Sequence, residues 1–300
     1  MRTLRRIAFG VVMACVAAAF MTACGSGPVT PTPNPGGGGG GQPPPVNNAP
    51  QIKSITVSDT RVEVGTPVTL TAVVEDAETP VANLTYEWKA DTGTFTGTGA
   101  VVTWSPGSEA KTPADYLVTL TVTERYTSGS AAFENKASGT TTAHVNNSPK
   151  ELAELSLRFL GDFATSSVSP EKCVSEFSDS CSGKKAELGD ITDNRHDFLI
   201  LASQLRTTGV DITSSRTAAT VHTFCSFTSR VITQSPQSEG CRNDPGSCRF
   251  NSEGTAQGDC VTTSVFEQGR WWLCTSSFKS TTALTRFARA FFGIRRPEIP

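Results

Sequence analysis

From Gly25 to Ala49 the chain reads GSGPVTPTPNPGGGGGGQPPPVNNA, with no hydrophobic periodicity and almost no bulky side chain. A segment with so little apolar surface to bury cannot offset the entropy of being ordered, so it is expected to be a disordered linker. Prolines stiffen its ends, and the six glycines from Gly36 to Gly41 make a flexible middle. Folding is thereby confined to residues 50–300, and the full length of 300 residues at about 150 per domain gives a prior of two domains.

Upstream of the linker, Arg2, Arg5 and Arg6 precede an apolar run from Ile7 to Met21. That run is shorter than the roughly 20 residues a membrane-spanning helix needs, so residues 1–23 are expected to be a signal peptide. It ends in Met21-Thr22-Ala23-Cys24, which resembles the lipobox of bacterial lipoproteins. The resemblance implies cleavage before Cys24, acylation of Cys24 by palmitate-type chains and attachment to a lipid bilayer, with residues 24–49 as the tether. Gly25, where sorted lipoproteins of the inner membrane carry Asp, implies the outer membrane if the source is Gram-negative. The alternative is an ordinary secretory signal with a cysteine near its cleavage site. Charge excludes one class of partner: 26 basic against 28 acidic residues leave no strongly basic surface for nucleic acid. Loss of the three signal arginines takes the mature chain to 23 basic against 28 acidic, a net charge of -5.

Residues 50–147 alternate like half-buried strands: Val68, Leu70, Ala72 and Val74; then Leu84, Tyr86 and Trp88; then Tyr116, Val118, Leu120 and Val122. Short strands separated by Gly, Pro, Asp and Ser turns over about a hundred residues predict an antiparallel β-sandwich, with Trp88 as its core aromatic. The stretches RVEVGTPVTLTAVVED, LTYEWKADTGTFTG and ADYLVTLTVTERY resemble bacterial polycystic-kidney-disease (PKD) or related immunoglobulin-like domains, which implies a spacer or binding module. Glu75, Asp76, Glu78 and Asp91 offer the hard oxygen ligands calcium takes, but their spacing matches no dedicated calcium loop, and they read as solvated loop charge.

Residues 148–300 follow another pattern. Ser148-Pro149-Lys150-Glu151 forms a capping box, predicting a helix from Pro149 that buries Leu152, Leu155, Phe159, Leu160 and Phe163. Ser169-Pro170-Glu171 starts a second, short helix, and a third is expected over 190–205, with Ile191, Phe198, Leu201 and Leu205 inward. Strands then run over 210–213, 218–232, 260–266 and 270–278, the last two forming a hairpin around Glu267-Gln268-Gly269 with Phe266 opposite Arg270. Helices first and long antiparallel strands afterwards predict an α+β domain, helices on one face of a curved sheet. FEQGRWWLC, with TAATVHTFCSFTSRV and the opening helices, resembles the nuclear transport factor 2-like cone fold and its polyketide-cyclase-like (SnoaL-like) members. That resemblance covers most of 149–279 and implies an enzyme, a ligand carrier or an interaction domain without choosing among them.

An enzyme of that kind would need an acid or base inside the cone. The candidates are Asp193 and His196, three apart on the third helix, and His222 on a strand; Asp197, adjacent to His196, points about 100 degrees away on a helix. The competing reading makes Asp193, Asp197 and His196 solvated helix residues, with His222 in or near the core. No cofactor and no metal site is expected, and no catalytic set is assigned. Seven cysteines follow the lipobox: Cys173, Cys181, Cys225, Cys241, Cys248, Cys260 and Cys274. None has Cys-x-x-Cys spacing, so disulfides in an oxidising compartment outrank metal binding, and the odd count leaves at least one thiol free. Proximity suggests Cys173–Cys181 and Cys241–Cys248, with Cys225, Cys260 and Cys274 on neighbouring strands. A last helix is expected over 282–292, packed back on the domain. The sequence thus describes a lipid-anchored cell-envelope protein whose spacer presents a cone that binds an apolar small molecule or another envelope protein, without catalysis. A cyclase, isomerase or dehydratase is the first alternative, and an adhesion or structural scaffold the second.

Overall fold

In the first half of the molecule every second strand residue turns inward, and two sheets close over the result. The computed structural model describes residues 47–235, 237–280 and 286–293; the signal, Cys24 and almost all of the tether lie outside the described residues. Eight strands, β1 (Gln51–Val57), β2 (Val62–Glu63), β3 (Val68–Glu75), β4 (Thr85–Ala90), β5 (Thr94–Thr96), β6 (Val101–Ser105), β7 (Ala114–Ser128) and β8 (Ala131–Asn146), form two four-stranded sheets. Their orders are β1-β3-β6-β5 and β2-β8-β7-β4, antiparallel except for the short β2–β8 pair. The inner faces bury Val68, Leu70, Val102, Val118, Leu120 and Val122. Trp104, not Trp88, is the core aromatic: it has no exposed surface and donates its indole N–H to Thr92 O at 3.0 Å, while Trp88 is half-buried and donates to Gly99 O. Trp104 lies on β6, held between β3 and β5, whereas Trp88 lies on β4, an edge strand.

Only Asn147 separates β8 from α1 (Ser148–Ala164). The capping box sits one residue earlier than expected: the Asn147 side chain accepts from the Lys150 N–H, and Glu151 accepts from the Asn147 N–H. Ser148 is not the cap because it is buried and its hydroxyl is taken by Glu63 at 2.6 Å and by Arg61. After α1 come α2 (Pro170–Cys173), α3 (Gly183–Asp197), β9 (Phe198–Ile212), β10 (Ala218–Val231), α4 (Glu239–Asn243), β11 (Glu253–Glu267), β12 (Arg270–Ser280) and α5 (Arg286–Phe291).

The third helix therefore ends at Asp197, short of the expected Leu205. The run Phe198-Leu199-Ile200-Leu201 is apolar and partly β-branched, and it pairs with β10, Phe198 opposite Val231 and Ile200 opposite Ser229. Leu201 is consequently exposed rather than inward. The sheet has the antiparallel order β12-β11-β10-β9 and curls into a half-barrel; α1 lies in its hollow, with Leu152, Leu155, Phe159 and Leu160 in the core that holds Val221, Phe227, Trp271 and Leu273. The final hairpin turns on two residues, Gln268 and Gly269, both at positive φ, so that Glu267 faces Arg270 and Phe266 faces Trp271. The multidomain, β-rich architecture with a cone-like second part agrees with the fold class expected from the sequence.

Candidate ligand-binding cavity

Between α1, α3, α4, α5 and the concave sheet lies a cavity of about 150 Å³. Its walls are aromatic: Phe159 and Phe163 come from α1, Phe227 from β10, Phe278 from β12, and Phe291 and Phe292 from the last helix and its end. Phe278 and Phe292 stack with centroids 3.5 Å apart, and Phe291 meets Phe163 and Phe198 edge-on. α4 and α5 can approach closely because residue 240 is glycine; a Cβ there would run into Ala290 O.

Polar groups enter the cavity from α3, α4 and β12. α3 presents Glu187, Asp190, Ile191 and Asn194, spaced i, i+3, i+4 and i+7 as one helix face requires, with Asp193 beside them and Glu239 facing from α4. Ser276 donates to Glu187 at 3.0 Å, the Glu239 N–H donates to Asp193 at 3.1 Å, and Asp190 and Glu239 share a hydrogen bond. Burial pushes the Glu187 carboxyl up to about 7. Burial, then the hydrogen bond and charge of Glu239, push Asp190 up to about 7. Because Asp190 is exposed as a residue, the Glu239 carboxyl is the more durable of its two causes. The buried Asn194 gives its amide N–H to Phe291 O, and its Oδ1 has no partner. Among the described lining residues there is no histidine, lysine, arginine or tyrosine.

Of the acid–base candidates read from the sequence, Asp193, His196, Asp197 and His222, only Asp193 lines this cavity. His196 and Asp193 are not joined by a hydrogen bond. Instead His196 Nδ1 lies 2.9 Å from Asp197, the neighbour that helical geometry had set aside, both on the last turn of α3. Asp197 is fully buried, accepts from Ser238, touches Cys241 Sγ at 2.9 Å, and is held above the usual carboxylate range by burial. His222 points away from the hollow, sharing the outer face of β10 with Phe224, with Asp259 at 2.8 Å from Nδ1 and Asp211 at 3.7 Å from Nε2. It is a half-buried surface histidine between two carboxylates, placed to act on nothing inside the cone. In the sandwich, Glu75 pairs with Lys53, Asp76 accepts two backbone N–H groups and Glu78 accepts from Asn48, and these acids form no common site with Asp91 among the described residues.

The cysteines pair as Cys181–Cys274, Cys225–Cys260 and Cys241–Cys248. Cys173 is free and buried, which corrects both its inclusion among the bridged cysteines and the suggested Cys173–Cys181 pair. Its thiol sits under α1, 3.2 Å from the guanidinium of Arg195, which also donates to Asp162 O and Thr165 O at the end of α1; burial raises its pKa. Cys181 reaches β12 instead, bringing the start of α3 against the sheet. Asp197, Cys241 and Cys248 place a carboxylate oxygen and two sulfurs within 4.8 Å of one another, but both sulfurs are bonded in a disulfide.

The fold and cavity define an α+β half-barrel with an internal site, preceded by a two-sheet β unit. Three solved structures resemble part of the chain. One is a candidate scytalone dehydratase from Novosphingobium aromaticivorans (14% identity, TM-score 0.32, covering 44% of this chain and 83% of that one). Another is a protein of unknown function from Mycobacterium tuberculosis (11%, 0.32, 48% and 84%), and the third is the intermembrane space region of the chloroplast protein ARC6 (11%, 0.29, 43% and 97%). At these identities and TM-scores the likeness is weak, and it carries nothing about function. No protein-family model and no curated protein matches the chain.

Proposed function

We propose that this is a lipid-anchored binding protein of the cell envelope, in which the β unit, an immunoglobulin-like spacer, holds out a cone that retains a small apolar ligand without transforming it. The observation that carries this reading is the cavity itself, lined by phenylalanines from α1, β10, β12 and α5 and by polar side chains from α3, α4 and β12. The anchor rests on Met21-Thr22-Ala23-Cys24 and the tether on the glycine- and proline-rich stretch after it. Two carboxyls near 7 favour one rival, a cyclase or dehydratase using Glu187 or Asp190 as general acid or base in place of histidine.

The test is native mass spectrometry of the full chain carrying Cys24→Ser, secreted into an oxidising compartment. A retained small molecule, recovered unchanged after incubation, supports a binding protein; a retained molecule that is converted supports the enzyme. A chain that carries nothing and takes up no small apolar probe overturns both. The anchor is tested separately, by labelling with a palmitate analogue: incorporation into the parent chain and its loss in Cys24→Ser is the expected result.

A further inference from the structure

We propose that Cys241–Cys248 is a site of thiol–disulfide exchange, opened and closed by a small dithiol, with Asp197 as the positioning residue that favours its open form. The exchange stands apart from the reading of the cone as a binding site; only its effect on the cavity rests on that reading.

The Asp197 carboxyl is fully buried, and its Oδ2 lies 2.9 Å from Cys241 Sγ. A sulfur in a disulfide has no hydrogen to give, so in the closed form this acceptor faces a sulfur that offers it nothing. After reduction Cys241 carries an S–H, and the same oxygen is placed to accept it. The contact therefore favours the dithiol over the disulfide, and a group that stabilises the reduced form makes a bridge easier to open. Asp197 Oδ1 lies 2.9 Å from His196 Nδ1, and the His196 side chain is 57% exposed, which gives the buried carboxyl a proton route to water. Among the other bridges, Cys225 Sγ faces Gly258 O at 3.7 Å and Cys181 Sγ faces the Ser180 hydroxyl at 4.0 Å, neutral groups both.

Cys241–Cys248 also closes the shortest loop, a separation of 7 residues against 35 and 93, so its opening frees the least chain. The loop belongs to the connection between β10 and β11, where α4 has five residues and the turn Pro245–Ser247 has three, so local opening exposes the sulfurs without unfolding the sheet. Cys248 is the more exposed sulfur residue, 5% against 1% for Cys241. A thiolate of the reagent attacks Cys248 Sγ, the bond to Cys241 breaks, and Cys241 leaves and takes up a proton. The second thiol of the reagent then attacks its own sulfur in the mixed disulfide and releases Cys248. The bridge gains two electrons and two protons, and the dithiol, losing the same, becomes a disulfide. α4 brings Glu239 and Gly240 to the cavity, and Asn243 donates to Gly293 O at 2.8 Å, so opening the bridge loosens that wall.

The test equilibrates the full chain carrying Cys24→Ser with dithiothreitol at graded ratios of reduced to oxidised reagent at pH 8, alkylates the free thiols and reads each pair by mass spectrometry. Cys241–Cys248 is expected to open at the lowest ratio of the three. Asp197→Asn is expected to raise that ratio roughly tenfold, the difference between a charge-assisted and a neutral hydrogen bond, and to leave the other two bridges where they were. Opening of Cys241–Cys248 together with or after the others would overturn the exchange site, and an unchanged ratio in Asp197→Asn would overturn the role of Asp197. Should that variant fail to fold, the infrared S–H stretch of reduced Cys241, assigned by its loss in Cys241→Ser, decides instead: a band lowered from that of an unbonded thiol supports the hydrogen bond, and an unshifted band overturns it. Binding of a hydrophobic dye should rise as the bridge opens; unchanged binding would overturn the coupling to the cavity and leave the exchange standing.

Discussion

The guanidinium of Arg61, on the β unit, lies 3.5 Å from the ring centroid of Phe266, on β11 of the half-barrel, and 5.0 Å from that of Trp271. The same group donates to Arg216 O at 2.8 Å and to the Ser148 hydroxyl, while Arg216 donates back to Arg61 O and pairs with Asp59. Two arginines thus clasp each other's backbone across the joint. Arg61→Ala is expected to cost about 2 kcal/mol, the sum of a desolvated cation–π contact and hydrogen bonds lost. Calorimetry should resolve one unfolding transition into two. Arg61→Lys should not restore the single transition, since an ammonium cannot stack flat and bond two oxygens together. A single transition in both variants would show that the clasp does not couple the halves.

The acids of the cavity set a pH dependence. Glu187 and Asp190 titrate near 7 when folded, against 4.5 and 3.8 for free side chains. Between about pH 4 and 7 the folded chain therefore keeps protons that the unfolded chain has released, so their contribution to stability falls as pH rises through that window and is constant above it. The shift of Glu187 is worth roughly 3 kcal/mol at most. Glu187→Gln should raise the melting temperature at pH 8 and change it little at pH 4.5. The opposite order in thermal melts would mean that the carboxyl is stabilised by its surroundings.

The disulfides differ in the length of chain they close. Cys225–Cys260 spans 35 residues and Cys241–Cys248 spans 7. Loop-closure entropy predicts a cost of about 4 kcal/mol for replacing the first pair by alanines and about 2 kcal/mol for the second. Denaturant titrations of the two double variants check the order. Cys173 should resist thiol reagents in the native protein and react once it is unfolded, because its buried thiol is held in the neutral form.

Gly240→Ala would push α4 and α5 apart, since the new methyl meets Ala290 O. Overpacking of this kind costs about 1–3 kcal/mol. Because Ala290, Phe291 and Phe292 line the cavity, the variant should bind a hydrophobic dye such as ANS more strongly than the parent. Unchanged dye binding would mean that the two helices yield without moving those rings.

The strands were legible in the sequence wherever one face was buried and the other wet. Val118, Leu120 and Val122 give their direction by alternation alone. Phe198 to Leu201 did not, because an apolar run of four fits a helix continuing from Ile191 as well as a strand, and only its pairing with β10 decides. Trp88 and Trp104 are equally apolar in sequence; edge and centre are properties of the sheet order. The cavity acids had a signal that was passed over: Glu187, Asp190 and Asp193 recur every third residue and are followed by Asn194, on a helix with few apolar residues to bury. Histidine has a free pKa near neutral, yet here carboxyls reach that range through burial, with the Glu239 carboxyl adding to it at Asp190, and sequence spacing does not report burial. Disulfide partners were equally out of reach, as Cys181 and Cys274 stand 93 residues apart.

The single residue between β8 and α1 leaves the chain no slack at that point. A strand 16 residues long thereby becomes a lever arm bolted to the helix that supplies Phe159 and Phe163 to the cavity. A torque on the β unit would be delivered to the cavity wall that Phe159 and Phe163 form, so a strain applied to one half of the described chain would be felt in the interior of the other.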